Sequence, residues 1–248
     1  METSTAVLND LLSQLDEMGM SSMANSLNQL YHSPSFLEMD RLTLLRELID
    51  AEYQAKAETR FSNRLKKAGL MGSPCEISNC VNSREREYLP PEITETLSSL
   101  GFVNDGLNVC ILGPSDSGKS YLAKALAIQA CHHYRVAYFH CNAFTEEMAA
   151  LKNLSFEKYK RKMRYFMKLD LLVLDDFLLH TISDEGELKV LFEILEKRGE
   201  LMKSTIVCSQ REPRSWASMM LNDEVTSNAI LKRVTKHYTV LINPKAVL

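Results

Sequence analysis

Gly113-Pro114-Ser115-Asp116-Ser117-Gly118-Lys119-Ser120 fits the pattern G-x-x-x-x-G-K-[ST], a loop suited to holding phosphate groups. Its flanks follow the order that this chemistry requires. The apolar strand-like run LNVCIL precedes it, and the helix-forming run KSYLAKALAIQA follows it. Glycines let successive backbone N–H groups turn inward around an anion, and the N-terminus of the next helix adds partial positive charge. In such a loop Lys119 pairs with the β- and γ-phosphates of a nucleoside triphosphate, and the Ser120 hydroxyl holds Mg2+. Gly113, Pro114, Ser115, Asp116, Ser117, Gly118, Lys119 and Ser120, with the adjoining Tyr121, are therefore read as the nucleotide-binding segment. Asp116 puts a carboxylate near the phosphates. Pointed at solvent, it costs little, because screening is strong there.

Working outward, apolar runs at 107–112, 135–140, 169–174, 204–209 and 237–242 alternate with helical stretches. That alternation predicts an α/β domain with a parallel sheet covered by helices. The run Leu171-Leu172-Val173-Leu174-Asp175-Asp176 reads as a buried strand ending in two carboxylates. In a phosphate-loop enzyme the first such acid supports Mg2+ and the next activates the attacking water. Asp175 is thus the metal-side residue and Asp176 the base. A further strand, STIVCSQ, ends in Ser209 and Gln210, polar groups that can sit between the two acids and the γ-phosphate. Arg233, in AILKRV, sits where a helix meets the last strand; chemistry alone gives it no role beyond a solvated side chain.

Upstream the pattern is helical. Leu8, Leu11, Leu12, Leu15, Met18, Met23, Leu27 and Leu30 recur largely at steps of three and four, with Gly19 as a break. Pro34 ends that segment. Ser35 followed by Glu38 is a capping-box pattern, predicting a second helix that starts there and runs to about Lys67, before Gly69. Residues 1–70 read as a small all-α domain for adaptor or oligomerisation contacts, 71–104 as a linker leading into the core, and 105–248 as the ATPase domain.

Composition is that of a globular chain: 248 residues, 45% hydrophobic and 25% charged, which excludes a disordered or fibrous protein. No stretch approaches the roughly 18 apolar residues of a membrane span, and the acid-bearing N-terminus is not a secretory signal. The six cysteines form no C-x-x-C pair and several lie in apolar runs, as buried reduced thiols of a cytosolic protein do. Cys131, His132, His133, His140 and Cys141 have no recognised ligand spacing for a metal.

A net charge of −3 argues against a generally basic nucleic-acid binder, but the average conceals an asymmetry. Residues 1–104 carry net −6 and residues 105–248 net +3. Within 151–168, Lys152, Lys158, Lys160, Arg161, Lys162, Arg164 and Lys168 face the single acid Glu157, with Tyr159, Tyr165 and Phe166 interleaved. Such a cluster is either a solvated helix face or a strip that binds phosphates without reading bases.

Taken in order, these segments resemble the IstB-like transposition helper ATPases of bacterial insertion sequences, relatives of the helicase loader DnaC within the AAA+ group. LLSQLDEMGMSSMANSLNQL is similar to the family's leucine-rich opening, and FSNRLKKAGL to its R-R-L-K-x-A segment. GPSDSGKS, LLVLDDF, STIVCSQ and AILKRV match its Walker A, Walker B, sensor-1 and arginine-finger segments. The resemblance implies an AAA+ phosphate-loop core with a five-stranded parallel sheet, adenine specificity, ATP hydrolysis with Mg2+, and homo-oligomers in which Arg233 reaches a neighbour's γ-phosphate. It places the 151–168 strip on double-stranded DNA and a cognate transposase beside it, in the bacterial cytoplasm at the nucleoid. ATP-bound subunits would assemble on target DNA, and hydrolysis would reset the assembly. A DnaC-like helicase loader, or a nucleotide-gated DNA-binding scaffold with little turnover, shares the same features. Two departures stand out: Asp176 replaces the usual Glu, and the chain ends at Leu248, without a C-terminal helical lid or a cis sensor-2 arginine. Weak basal hydrolysis, raised by DNA or a partner, is the expectation.

Overall fold

The computed structural model describes residues 2–245; the lid expectation concerns the chain beyond them. The backbone divides between Asn63 and Arg64 into two compact units. The first holds α1 (Glu2–Glu17), α2 (Ser21–Tyr31) and most of α3 (Arg41–Ala68). Gly19, at φ +68, opens the turn between α1 and α2. The expected capping box at Ser35 and Glu38 does not form. Asp40 caps α3 instead, its Oδ2 accepting from the N–H groups of Leu42 (3.0 Å) and Thr43 (3.2 Å). A carboxylate at the N-cap also offsets the positive end of the helix, which a serine does less well.

The second unit is a sheet between helices. Its elements are β1 (Arg86–Leu89), α4 (Ile93–Ser98), α5 (Gly101–Asn104), β2 (Val109–Leu112), α6 (Lys119–Ala130), β3 (Val136–His140), α7 (Cys141–Leu154), α8 (Phe156–Met167), β4 (Leu171–Asp175), α9 (Glu185–Glu200), β5 (Ser204–Ser209), α10 (Trp216–Met219), α11 (Glu224–Thr235) and β6 (Tyr238–Pro244). The strand order is β1-β6-β2-β5-β4-β3. Strands β2 to β6 are mutually parallel, and every residue of β2, β4 and β5 is buried, so their sequences are unbroken apolar runs.

The sheet has six strands, not the expected five. The extra one, β1, pairs antiparallel with β6, Tyr88 opposite Ile242. Its four residues, REYL, include a single buried side chain, Tyr88, so it offers no apolar run from which to recognise a strand. One layer of core lies between the sheet and α7–α9, with Phe144, Met148, Phe166, Phe177, Leu191 and Trp216 buried in it. All six cysteines are buried.

Candidate functional site

The phosphate loop leaves the C-terminal end of β2 and closes onto α6. Gly113 is held to glycine by packing: a Cβ there would meet the Ile242 carbonyl oxygen at 2.5 Å and Ser117 Oγ at 2.7 Å. Gly118 caps α6 in the left-handed region at φ +98. Lys119 is buried, and its Nζ donates to the Pro114 carbonyl at 2.5 Å, bridging the two sides of the loop. Burial lowers the Lys119 ammonium below its ordinary pKa, while the charges of Asp175, Asp176 and Asp116 act in the opposite sense. Ser117 is buried, and its hydroxyl has no hydrogen-bond partner. Among the described residues it is one of few buried polar atoms left without a partner, a feature that calls for an explanation such as a bound water, ion or ligand. Asp116 is exposed at φ +58, its carboxylate in solvent rather than inside the loop.

Asp175 and Asp176 stand at the end of β4, one strand beyond β5 from β2. Asp175 is almost fully buried; its Oδ1 accepts from the Asp176 N–H at 2.9 Å, and its Oδ2 accepts from the Tyr138 hydroxyl. Burial, then the Asp175 carboxylate, pushes the Tyr138 phenol well above its ordinary range, so Tyr138 remains a donor. Asp176 takes φ +54, a conformation that Asp tolerates better than most residues, and its Oδ2 lies 2.9 Å from His140 Nδ1. Ligating atoms of His140, Asp175 and Asp176 lie within 4.8 Å of one another. Mg2+ prefers oxygen ligands and retains several waters. Asp175, with the half-buried Ser120 hydroxyl and water, fits that preference; the His140 imidazole does not. When bound, the ion would neutralise charge on the phosphates.

Of the two sensor candidates, Ser209 is committed elsewhere. Its hydroxyl donates to the Phe177 carbonyl at 2.7 Å and accepts from the Arg211 N–H at 3.1 Å, fixing the turn after Asp176. Gln210 is exposed at the strand end, which leaves it the freer of the pair. Tyr121 faces away from the loop. Its hydroxyl accepts from Glu76 N–H (3.2 Å) and Asn79 Nδ2 (3.1 Å), tying the 76–79 segment to α6. Arg233 is not brought to this cluster; it lies on α11, bonded to Glu196 of α9.

Residues 13–245 match the family described as IstB-like ATP binding protein. The chain belongs to this family. An insertion sequence ATP-binding protein of Sinorhizobium fredii (strain NBRC 101917 / NGR234) is 28% identical over 224 residues, which is 90% of this chain and 89% of the relative. The ATP-binding protein of insertion sequence IS21 from Pseudomonas aeruginosa is 24% identical, covering 92% and 83%. The DnaC helicase loader superposes with a TM-score of 0.54 at 16% identity, over 69% of this chain and 98% of that one. Replication initiator DnaA bound to AMPPCP and single-stranded DNA gives 0.56 at 21% identity, over 70% of this chain and 51% of that one. At these identities the structures show the fold, which is AAA+.

In this IstB-like protein the 151–168 strip is the end of α7 and the whole of α8. Ser155 caps α8, and its Tyr159, Met163 and Phe166 face the core. Lys158, Lys160, Arg161, Arg164 and Lys168 are exposed, with Tyr165 among them. Lys152 and Lys162 are instead engaged by Glu193 and Glu147. Of the four aromatic residues of the strip, Tyr159 and Phe166 thus belong to the core while Phe156 and Tyr165 are exposed, and the exposed cations number five. Tyr138, His140 and Arg86 join the site without a sequence signal that points to it. Tyr138 and His140 are isolated polar residues on β3 and Arg86 is one of the charged run at 84–87, and since their neighbours are set by the sheet order no local pattern marks them.

Proposed function

We propose that this protein binds and hydrolyses ATP with Mg2+, assembles on double-stranded DNA, and recruits and stimulates a transposase, hydrolysis resetting the assembly. The observation that carries the reading is the gathering of Lys119, Ser120, Asp175 and Asp176 at the C-terminal ends of β2 and β4, on either side of β5, where open parallel sheets bind ligands. Lys119 and the loop N–H groups hold the phosphates, Asp175 and Ser120 hold the ion, and Asp176 accepts the proton of the attacking water. Gln210 senses the γ-phosphate from the adjacent strand. The exposed cations of α8 supply sequence-tolerant contact with DNA phosphates. Arg233 acts on a neighbouring subunit's nucleotide, which makes turnover depend on assembly. The names of the insertion-sequence relatives support the transposition role.

The test is phosphate release by the purified protein, alone, with duplex DNA, and with DNA plus a cognate insertion-sequence transposase. Turnover that rises with DNA and is abolished in Asp175→Asn supports the reading. Nucleotide binding without turnover under all three conditions leaves a nucleotide-gated scaffold and removes the enzyme.

A further inference from the structure

Strand β1 carries a cation onto the phosphate loop. The Arg86 guanidinium lies so near Gly118 that a Cβ there would stand 2.7 Å from its Cζ, 2.8 Å from Nη1 and 3.1 Å from Nε. The sheet register fixes this placement. Tyr88 pairs with Ile242, whose carbonyl abuts Gly113, and two residues earlier Arg86 pairs with Pro244, beside the other end of the loop.

Arg86 is half-buried, and among the described residues no carboxylate lies within 4.0 Å of it. Its polar neighbours are the Tyr88 phenol and the Cys80 thiol. Burial pushes the Cys80 thiol up to about 11 and raises the Tyr88 phenol as well, so both are neutral and neither balances the guanidinium. A partly desolvated cation without a counter-charge is costly unless something supplies one. On the same loop the buried Ser117 hydroxyl also lacks a partner.

We propose that Arg86 is a nucleotide-binding residue acting in cis, its planar fork taking the α- and β-phosphate oxygens. The assignment rests on the nucleotide reading above. The loop N–H groups cradle the α- and β-phosphates while the loop lysine reaches the β- and γ-phosphates. Arg86 sits at Gly118, the residue that caps α6 at the end of that cradle, so it serves the part of the ligand that ATP and ADP share. It retains the nucleotide after hydrolysis and ties the edge strand β1 to the bound state.

The experiment titrates fluorescent ATP and ADP analogues into the full chain, wild type and Arg86→Ala, Arg86→Lys and Lys119→Ala. Unfolding midpoints without nucleotide verify that each variant is folded. Loss of charge-assisted hydrogen bonds predicts that Arg86→Ala weakens ATP and ADP alike, by about tenfold or more. Arg86→Lys recovers only part, since an ammonium cannot reproduce the fork. If the alanine variant does not fold, Arg86→Gln, which keeps most of the stem, gives the same comparison. Wild-type affinity for both nucleotides in a folded Arg86 variant, while Lys119→Ala loses binding, overturns this assignment alone. A loss confined to ATP overturns the α/β placement. Failure of the wild type to bind either nucleotide overturns the nucleotide reading, and this assignment with it.

Discussion

Arg233 of α11 is bound to Glu196 of α9, Nη2 to Oε1 at 2.9 Å, while its guanidinium lies 4.9 Å from the centre of the Phe192 ring. Nη1 donates to the Ala229 carbonyl at 3.0 Å. The side chain therefore has its charge and one ring face satisfied within its own subunit. To reach a neighbour's nucleotide it must exchange Glu196 for a phosphate. Both partners are about a third exposed, so the pair contributes only about 0.2–1 kcal/mol, small enough to be broken on assembly.

Glu196→Gln should thus lower the protein concentration at which hydrolysis reaches half its maximum, by a few-fold, with little change in unfolding midpoint. Arg233→Ala should bind ATP normally yet lose DNA-stimulated turnover. Mixed with Lys119→Ala subunits, which retain the finger but not the nucleotide, it should regain part of that turnover. A concentration series of phosphate release checks all three, and no recovery in the mixture excludes a role in trans.

Asp116 occupies φ +58 with an exposed carboxylate, so two small penalties coincide: left-handed backbone on a residue with Cβ, and negative charge near the phosphates. Glycine removes both. Asp116→Gly should stabilise the loop conformation by about 1 kcal/mol and leave ATP affinity unchanged or improved. A titration with labelled ATP decides it, and a large loss of affinity would show that the carboxylate has a binding role.

What the sequence revealed depended on whether a signal was local. The central strands β2, β4 and β5 are buried on both faces and read as apolar runs, while β3 and β6, partly exposed, still carry enough apolar residues to stand out at the same spacing. Strand β1 has one buried side chain, and its place is set by its pairing with β6. The start of α3 was misplaced because Ser35 and Glu38 fit a local pattern, while Asp40, nearer the apolar stripe, has the stronger cap. The loop and the two acids stood out as contiguous motifs. Tyr138 and His140 did not, because their meeting with Asp175 and Asp176 requires β3 to lie beside β4. Ser209 is the converse case: its polarity points to the site, and what the fold adds is that its hydroxyl donates to the Phe177 carbonyl.

The cations of α8 fall into two groups that mutation can separate. Lys158, Arg161 and Arg164 are exposed and form no ion pair among the described residues, whereas Lys152 is held by Glu193 and Lys162 by Glu147. Reversing the first three to Glu should abolish DNA affinity at physiological salt and flatten its salt dependence, by about 0.9 in log–log slope for each DNA phosphate that is no longer neutralised. Lys152→Ala and Lys162→Ala should change DNA affinity far less. Fluorescence anisotropy with a labelled duplex at several salt concentrations distinguishes the groups, and unchanged binding in the triple reversal removes α8 from the DNA interface.

Arg198 is wholly buried on α9 and fastens the C-terminal end of α8. Its Nη1 donates to the carbonyls of Phe166 (2.6 Å) and Leu169 (3.0 Å), Nη2 to Ser204 O (2.5 Å), and Nε to Thr205 Oγ1 (3.1 Å). Carbonyls at a helix end carry partial negative charge, which together with four hydrogen bonds keeps a buried guanidinium tolerable. Arg198→Met fills much of the volume but strands those acceptors, so unfolding in urea should show a loss of about 3–5 kcal/mol. Arg198→Lys should restore little, because one ammonium cannot span acceptors on α8, the following turn and β5. Since α8 presents the exposed cations, DNA affinity of the folded Arg198→Met protein should also fall. If stability drops while affinity per folded molecule stays constant, the clamp serves the core and not the basic helix.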